Sequence, residues 1–283
     1  VETLVKRLGA TTYPEEVLNS RMQGVEVKVS AGKRPHVLFA DFVAMDKDCG
    51  IDPATGGGLL FSSFGDLMLD QMTLVEKAFP NVAEWLDSTA LMNTENIRLL
   101  TTAHVQAHDL CGHSVPFNLN DSTRAQANLF LRGPLEEYYA DTQAMWTYSS
   151  VAPTRAFFNS TLSQTELDAI PVLIAMKRLT FYAMKDASDH DARCSWMMWG
   201  YWRKTGLIRK LKGSGEEFYF DLERMPAVVD QMLSDINYIE HQIGHGVEAY
   251  ELACQRFSER YGYENPLSRR WEIPDELGNL LFG

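Results

Sequence analysis

From about residue 63 onward the chain carries apolar residues at helical spacing in one segment after another, punctuated by Pro and Gly. Apolar positions three and four apart line one face of a helix, whereas a half-buried strand alternates with a period of two. FGDLMLDQMTLVEKAFPNVAEWL follows the helical pattern and is interrupted at Pro80, which cannot donate the hydrogen bond that a helix interior needs. TENIRLLTTAHVQAHDLCGH offers Thr94 as an N-cap and places Ile97, Leu100 and Val105 on one face. LEEYYADTQAMWTYSS is expected to enter its helix just after Gly133-Pro134. Ser163 and Glu166 stand in capping-box positions at the head of the next helix. RCSWMMWGYWRKTGLIRKL and GSGEEFYFDLERMPAVVDQML follow, and SDINYIEHQIGHGVEAYELACQRFSERY reads as the last strong helix before an irregular tail from Glu264.

The N-terminal residues read differently. VEVKV alternates as a strand, RPHVLFADFVAMD (34–46) is denser and β-like, and DPATGGG (52–58) is a loop. That loop lacks the GxxxxGK[ST] pattern of a phosphate cradle. The expected architecture is therefore mainly α. A helical metal-binding domain over 63–283 follows a small α/β portion over 1–62, or is continuous with it.

Composition narrows the function classes. With 45% hydrophobic and 11% aromatic residues the chain can bury a large core, so disorder is not expected. Its net charge of −12 argues against nucleic acid or an anionic membrane as the main partner, because both are bound through Lys and Arg. No run of about 18 apolar residues suggests a membrane span, and no basic start with an apolar core suggests a signal peptide. The cysteines at 49, 111, 194 and 254 form no CxxC pair, which points to reduced thiols and a cytoplasmic setting. The cluster of Trp196, Trp199, Tyr201 and Trp202 is expected in the core or in a cavity wall.

Chemistry concentrates between His104 and Asp141. The chain has seven histidines, at 36, 104, 108, 113, 190, 241 and 245, and five of them fall into two clusters. His104 and His108 are four apart, the spacing of a helical metal-binding pair. His108 and His113 are five apart, and a π-bulge, eased by Gly112, would bring them onto one face. Glu136, Glu137 and Asp141 follow, and imidazole with carboxylate is a donor set for a divalent transition metal. Either histidine pair fits such a site on spacing alone. In the second cluster His241, His245 and Glu248 lie at i, i+4 and i+7. If that helix crosses the metal helix, His241 or His245 would face substrate and stabilise developing negative charge.

HDLCGH followed by EEYYAD resembles the paired signature of the dipeptidyl-peptidase III family of zinc peptidases, HELLGH with EECRAD or EECRAE. The resemblance covers about 35 residues and implies one Zn²⁺ per chain on His108, His113 and Glu137, with water in the fourth position at a pKa lowered towards about 7. It makes Glu136 the residue that orients a ligand histidine and Asp141 a supporting acid. Asp109 or Glu136 would accept the proton of that water. Asp109 stands where the family has Glu and is one methylene shorter, which alters its reach. The two motifs lie closer together than in those peptidases, and the chain is far smaller than their two-lobed architecture. His104, Asn118, Asn120 and Arg124 are candidate contacts to a small-molecule or short-peptide substrate, Arg being suited to carboxylates. HDLCGHSVPF is also similar to the HD phosphohydrolases, whose HDLGHxPF is shorter by one residue. That reading, or a helical non-haem iron enzyme, would favour Mn or Fe over zinc. A non-enzyme reading is a helical scaffold closed around a four-ligand metal that includes His104.

Overall fold

The computed structural model describes residues 23–25, 59–61, 64–108, 126–152, 155, 162–211, 217–262, 264–265 and 270–282. Within them the chain is mainly α. Strands β1 (Gln23–Val25) and β2 (Leu59–Phe61) pair in parallel, with Gly24 opposite Leu60. The expected strand over 34–46 and the loop over 52–58 lie outside the described residues.

Helices α1 (Phe64–Ala78) and α2 (Pro80–Ser88) are separated at Phe79, and Pro80 sits in the first turn of α2, where its missing N–H costs nothing. Helix α3 (Thr94–Ala107) is capped by Asn93, whose Oδ1 accepts from the Asn96 N–H at 2.9 Å. The cap is thus one residue before the expected Thr94. Ile97 and Leu100 are buried as expected.

Helix α4 (Leu129–Tyr148) begins earlier than Gly133-Pro134 suggests. Asn128 caps it, accepting from the Phe130 N–H at 2.9 Å, and Pro134 lies inside the helix. A proline there deprives the Phe130 carbonyl of its helical donor. Arg193 supplies the replacement, donating to that oxygen at 3.0 Å. Helix α5 (Gln164–Thr180) carries the expected capping box: Ser163 Oγ accepts from the Glu166 N–H, and Glu166 accepts from the Ser163 N–H. After a short 3₁₀ turn (Tyr182–Met184), α6 (His190–Thr205) ends on left-handed Gly206 (φ 75°). A hairpin follows, β3 (Ile208–Lys210) against β4 (Phe218–Phe220), in place of the helix expected through FYF.

The expected last helix is two helices. Helix α7 (Met225–His241) gives way to a 3₁₀ turn (Gln242–His245), and α8 (Val247–Tyr261) starts after Gly246 at φ 101°. A positive φ of this kind suits glycine and ends the helix. The tail is also more ordered than expected, with β5 (Glu264–Asn265) pairing with β6 (Arg270–Trp271) before α9 (Asp275–Phe282).

Helix α4 is the hub, touching α3, α5, α6, α7 and α8. Its burial extends round the helix, through the consecutive Tyr138, Tyr139, Ala140, Asp141 and Thr142, so it lacks the single apolar stripe of a surface helix. Trp196, Trp199, Tyr201 and Trp202 are buried in the same core. Cys194 and Cys254 are buried free thiols. No helix among the described residues is long and apolar enough to cross a membrane.

Candidate metal centre

The last turn of α3 and the middle of α4 bring the histidines to the acids. His104 and His108 are both buried, 5% and 8% exposed, with ring centroids 5.9 Å apart. Helix α3 ends at Ala107, and His108 itself is in a π-helical turn. Across from them Asp141, 1% exposed, offers one oxygen to both rings: Oδ1 lies 3.1 Å from His104 Nε2 and 2.7 Å from His108 Nδ1.

An ionised carboxylate only accepts, so both imidazole nitrogens donate to it. His104 is then protonated at Nε2 and His108 at Nδ1, and the second nitrogen of the His108 ring is Nε2. That nitrogen faces Glu137, 3.5 Å from Oε2. Glu137 and Asp141 are four residues apart on α4 and hence share a face. One lies against each nitrogen of the same ring.

Asp141 is charged despite its burial. Burial alone would push its carboxyl up, but the Arg178 guanidinium, His108 and the hydrogen bonds from both histidines hold it well below the usual carboxylate range. Arg178 comes from α5 and is 1% exposed. Its Nε donates to Asp141 Oδ2, its NH2 reaches Glu137 Oε2 at 3.3 Å, and its NH1 reaches Asp191 Oδ1 of α6 at 2.5 Å. Burial opposes the Arg178 charge, but Asp141 and the surrounding acids more than offset this. Its guanidinium also sits over the Tyr182 ring, 4.4 Å from the centroid. His104 is pushed the other way, down to about 3, first by burial and then by nearby Lys177. It is a neutral hydrogen-bond donor at ordinary pH. Burial drives the Cys194 thiol well above its ordinary value, so it is not a thiolate donor.

His104, His108 and Asp141 present donor atoms within 4.8 Å of one another. Two ligands about 2.0–2.2 Å from a tetrahedral metal lie about 3.4 Å apart. The 3.5 Å between His108 Nε2 and Glu137 Oε2 matches that edge. The 2.7 Å between His108 Nδ1 and Asp141 is a hydrogen bond instead, and the other Asp141 oxygen is occupied by Arg178. Among the described residues, His108 Nε2 and Glu137 Oε2 are therefore a pair that could hold a divalent metal in front of the ring. Asp141 serves from behind the ring, the arrangement that fixes the tautomer of metal-bound histidines.

Glu136 forms an ion pair with Arg132 one turn back on α4, and Asp141 is the acid that meets His108 Nδ1. His241 and His245 do not share one helical face with Glu248, because the helix stops between them, and both histidines are exposed. Asp109, His113, Asn118, Asn120 and Arg124 lie outside the described residues. Sequence reading passed over Arg178 and Asp191. The available signal was a Lys-Arg pair inside the apolar run PVLIAMKRLTFYAM, since a cation held in such a run needs a buried acid.

No family model matches the chain, and no curated protein matches it by sequence. Among solved structures it is similar to DPP III from Caldithrix abyssi, with a TM-score of 0.62 at 13% identity, over 99% of this chain and 51% of that one. The likeness shows a shared fold, and the chain spans about half the length of that protein.

Proposed function

We propose that the chain is a metal-dependent hydrolase of the dipeptidyl-peptidase III type, with zinc held by His108, His113 and Glu137. The observation that carries this reading is the clamped His108 ring, with Nδ1 on buried Asp141 and Nε2 3.5 Å from Glu137 Oε2. The likeness in fold to DPP III from Caldithrix abyssi supports it, as does the pairing of HDLCGH with EEYYAD. His108 is in a π-helical turn, a backbone form that favours a five-residue spacing, and His113 enters on that spacing and on the motif. Zinc bound there supplies a Lewis acid that activates water and polarises a carbonyl.

The chain's own groups do the rest. Asp141 keeps His108 protonated at Nδ1, so that its Nε2 stays a donor atom. Asp109 follows His108 directly and is the proton acceptor in this reading, because Glu136 is engaged by Arg132. The substrate class is a peptide, amide or related bond of a small molecule, in keeping with a net charge of −12 that disfavours polyanions.

Elemental analysis of the purified protein tests the site, run beside His108→Ala, His113→Ala, Glu137→Ala and His104→Ala. The reading predicts about one zinc per chain, lost in the first three variants and kept in the fourth. Metal lost with His104→Ala yet kept with Glu137→Ala would move the ligands to His104, His108 and Asp141. Hydrolysis of dipeptidyl arylamides, assayed in parallel, should fall about 10²–10⁴-fold in Asp109→Asn. Unchanged turnover in that variant would remove Asp109 from the reaction.

A further inference from the structure

Each of the three guanidinium nitrogens of Arg178 engages a different carboxylate. Nε meets Asp141, NH2 meets Glu137 and NH1 meets Asp191. The first two acids stand one turn apart on α4, whereas the guanidinium arrives from α5 and the third acid from α6. The far arm is anchored in turn, because Lys185 Nζ lies 3.0 Å from Asp191 Oδ2. The Tyr182 ring limits movement of the guanidinium plane.

A planar fork of this kind sets distances as well as charge. It spaces Asp141 Oδ2 from Glu137 Oε2 and thereby fixes which carboxylate stands behind the His108 ring and which in front. Asp141 is wholly buried, but the Glu137 side chain is 23% exposed, and carboxylates on a helix face have several rotamers that point to water. Arg178 holds Glu137 in the one that faces His108 Nε2.

We propose that Arg178 is the positioning residue of the metal centre, presetting the Asp141–His108–Glu137 array before a metal arrives. This rests on the metal-binding reading of the same site. Lysine would keep the charge but could not bridge three acids, so Arg178→Lys separates geometry from charge. Asp191→Asn weakens the far arm alone, at a side chain that is only partly buried.

The test uses the full chain. Zn²⁺ affinity is measured by competition with a chromophoric chelator, and the ligand field is read from the visible bands of the Co²⁺-loaded protein. Arg178→Lys should lower Zn²⁺ affinity about 10–100-fold and shift the Co²⁺ bands, the size of effect that losing a group behind a ligand has elsewhere. Far-UV circular dichroism should stay that of the parent. Asp191→Asn should weaken Zn²⁺ in the same direction but less. If Arg178→Lys binds Zn²⁺ as tightly as the parent with the same Co²⁺ bands, the positioning role is overturned. If Arg178→Lys does not fold, Asp191→Asn decides: parental affinity and spectrum overturn the role, weaker binding supports it. A parent protein that takes up neither ion overturns the metal reading itself, which is a different result from a parent that binds metal indifferently to these variants.

Discussion

Asp141 shows how much one side chain can organise. It accepts from two histidines on one oxygen and from a guanidinium on the other, with almost no exposure to water. Asp141→Asn would leave the buried Arg178 charge short of its strongest partner. Removing one member of a buried ion pair costs about 3–5 kcal/mol, and the remaining Glu137 and Asp191 contacts place this variant near the lower figure. Urea unfolding of the variant beside the parent reads that loss. His104 adds a pH dependence. Its folded value of about 3 lies below the ordinary 6.5, so the unfolded chain takes up a proton that the folded chain refuses. The stability is complete above about 6.5 and is lost as pH falls towards about 3, with Asp141 adding a loss of the same sign at the acid end. Melting temperatures of metal-free protein across that range should fall steadily, and more shallowly in His104→Phe. Parallel curves would mean that His104 is protonated in the fold. Glu136 and Glu137 are adjacent in sequence, and nothing in composition tells them apart. The turn of about 100° per residue does so: Glu137 shares its face with Asp141, while Glu136 turns to Arg132.

At the level of elements, the signals at Ser163 and Pro80 were legible because their partners are local. The capping box at Ser163 and Glu166 is complete within four positions, and the break at Pro80 needs no outside group. Ser163→Ala should therefore cost about 1 kcal/mol, seen as a small drop in melting temperature with the fold unchanged. The start of α4 was misread because its compensation is remote. Pro134 is tolerated inside the helix by Arg193 of α6, 63 residues from the carbonyl it serves. The packing of α6 on α4 also explains Gly133, where a Cβ would collide with the His190 ring. Gly133→Ala must push that ring aside and loosen α4 from α6, at a cost of about 1–3 kcal/mol in chemical denaturation. A variant as stable as the parent would show that His190 yields freely. Gly246 is the opposite case, a break written in the sequence as a glycine but hidden by helical spacing on both sides.

For the molecule as a whole, the helical class was legible because periodicity is repeated over so many segments. The site was legible only in part: the histidines and the EEYYAD acids stand out as a pattern, whereas Arg178 and Asp191 join them only through the packing of α5 and α6 on α4. The core is apolar and continuous from Met68 to Leu280, so the fold does not depend on a metal as a zinc finger does. Chelator treatment should leave the helical circular dichroism intact while abolishing hydrolysis. Collapse of the helical signal would favour the closed-scaffold reading instead. The central claim is that a divalent metal sits in front of His108, between its Nε2 and Glu137. Anomalous diffraction at the zinc edge from zinc-soaked crystals tests it most directly. A peak within bonding distance of His108 Nε2 and Glu137 Oε2, with Asp141 still on Nδ1, is the result expected. A peak shared by His104, His108 Nδ1 and Asp141, or no peak in a crystal where these residues are ordered, would contradict it.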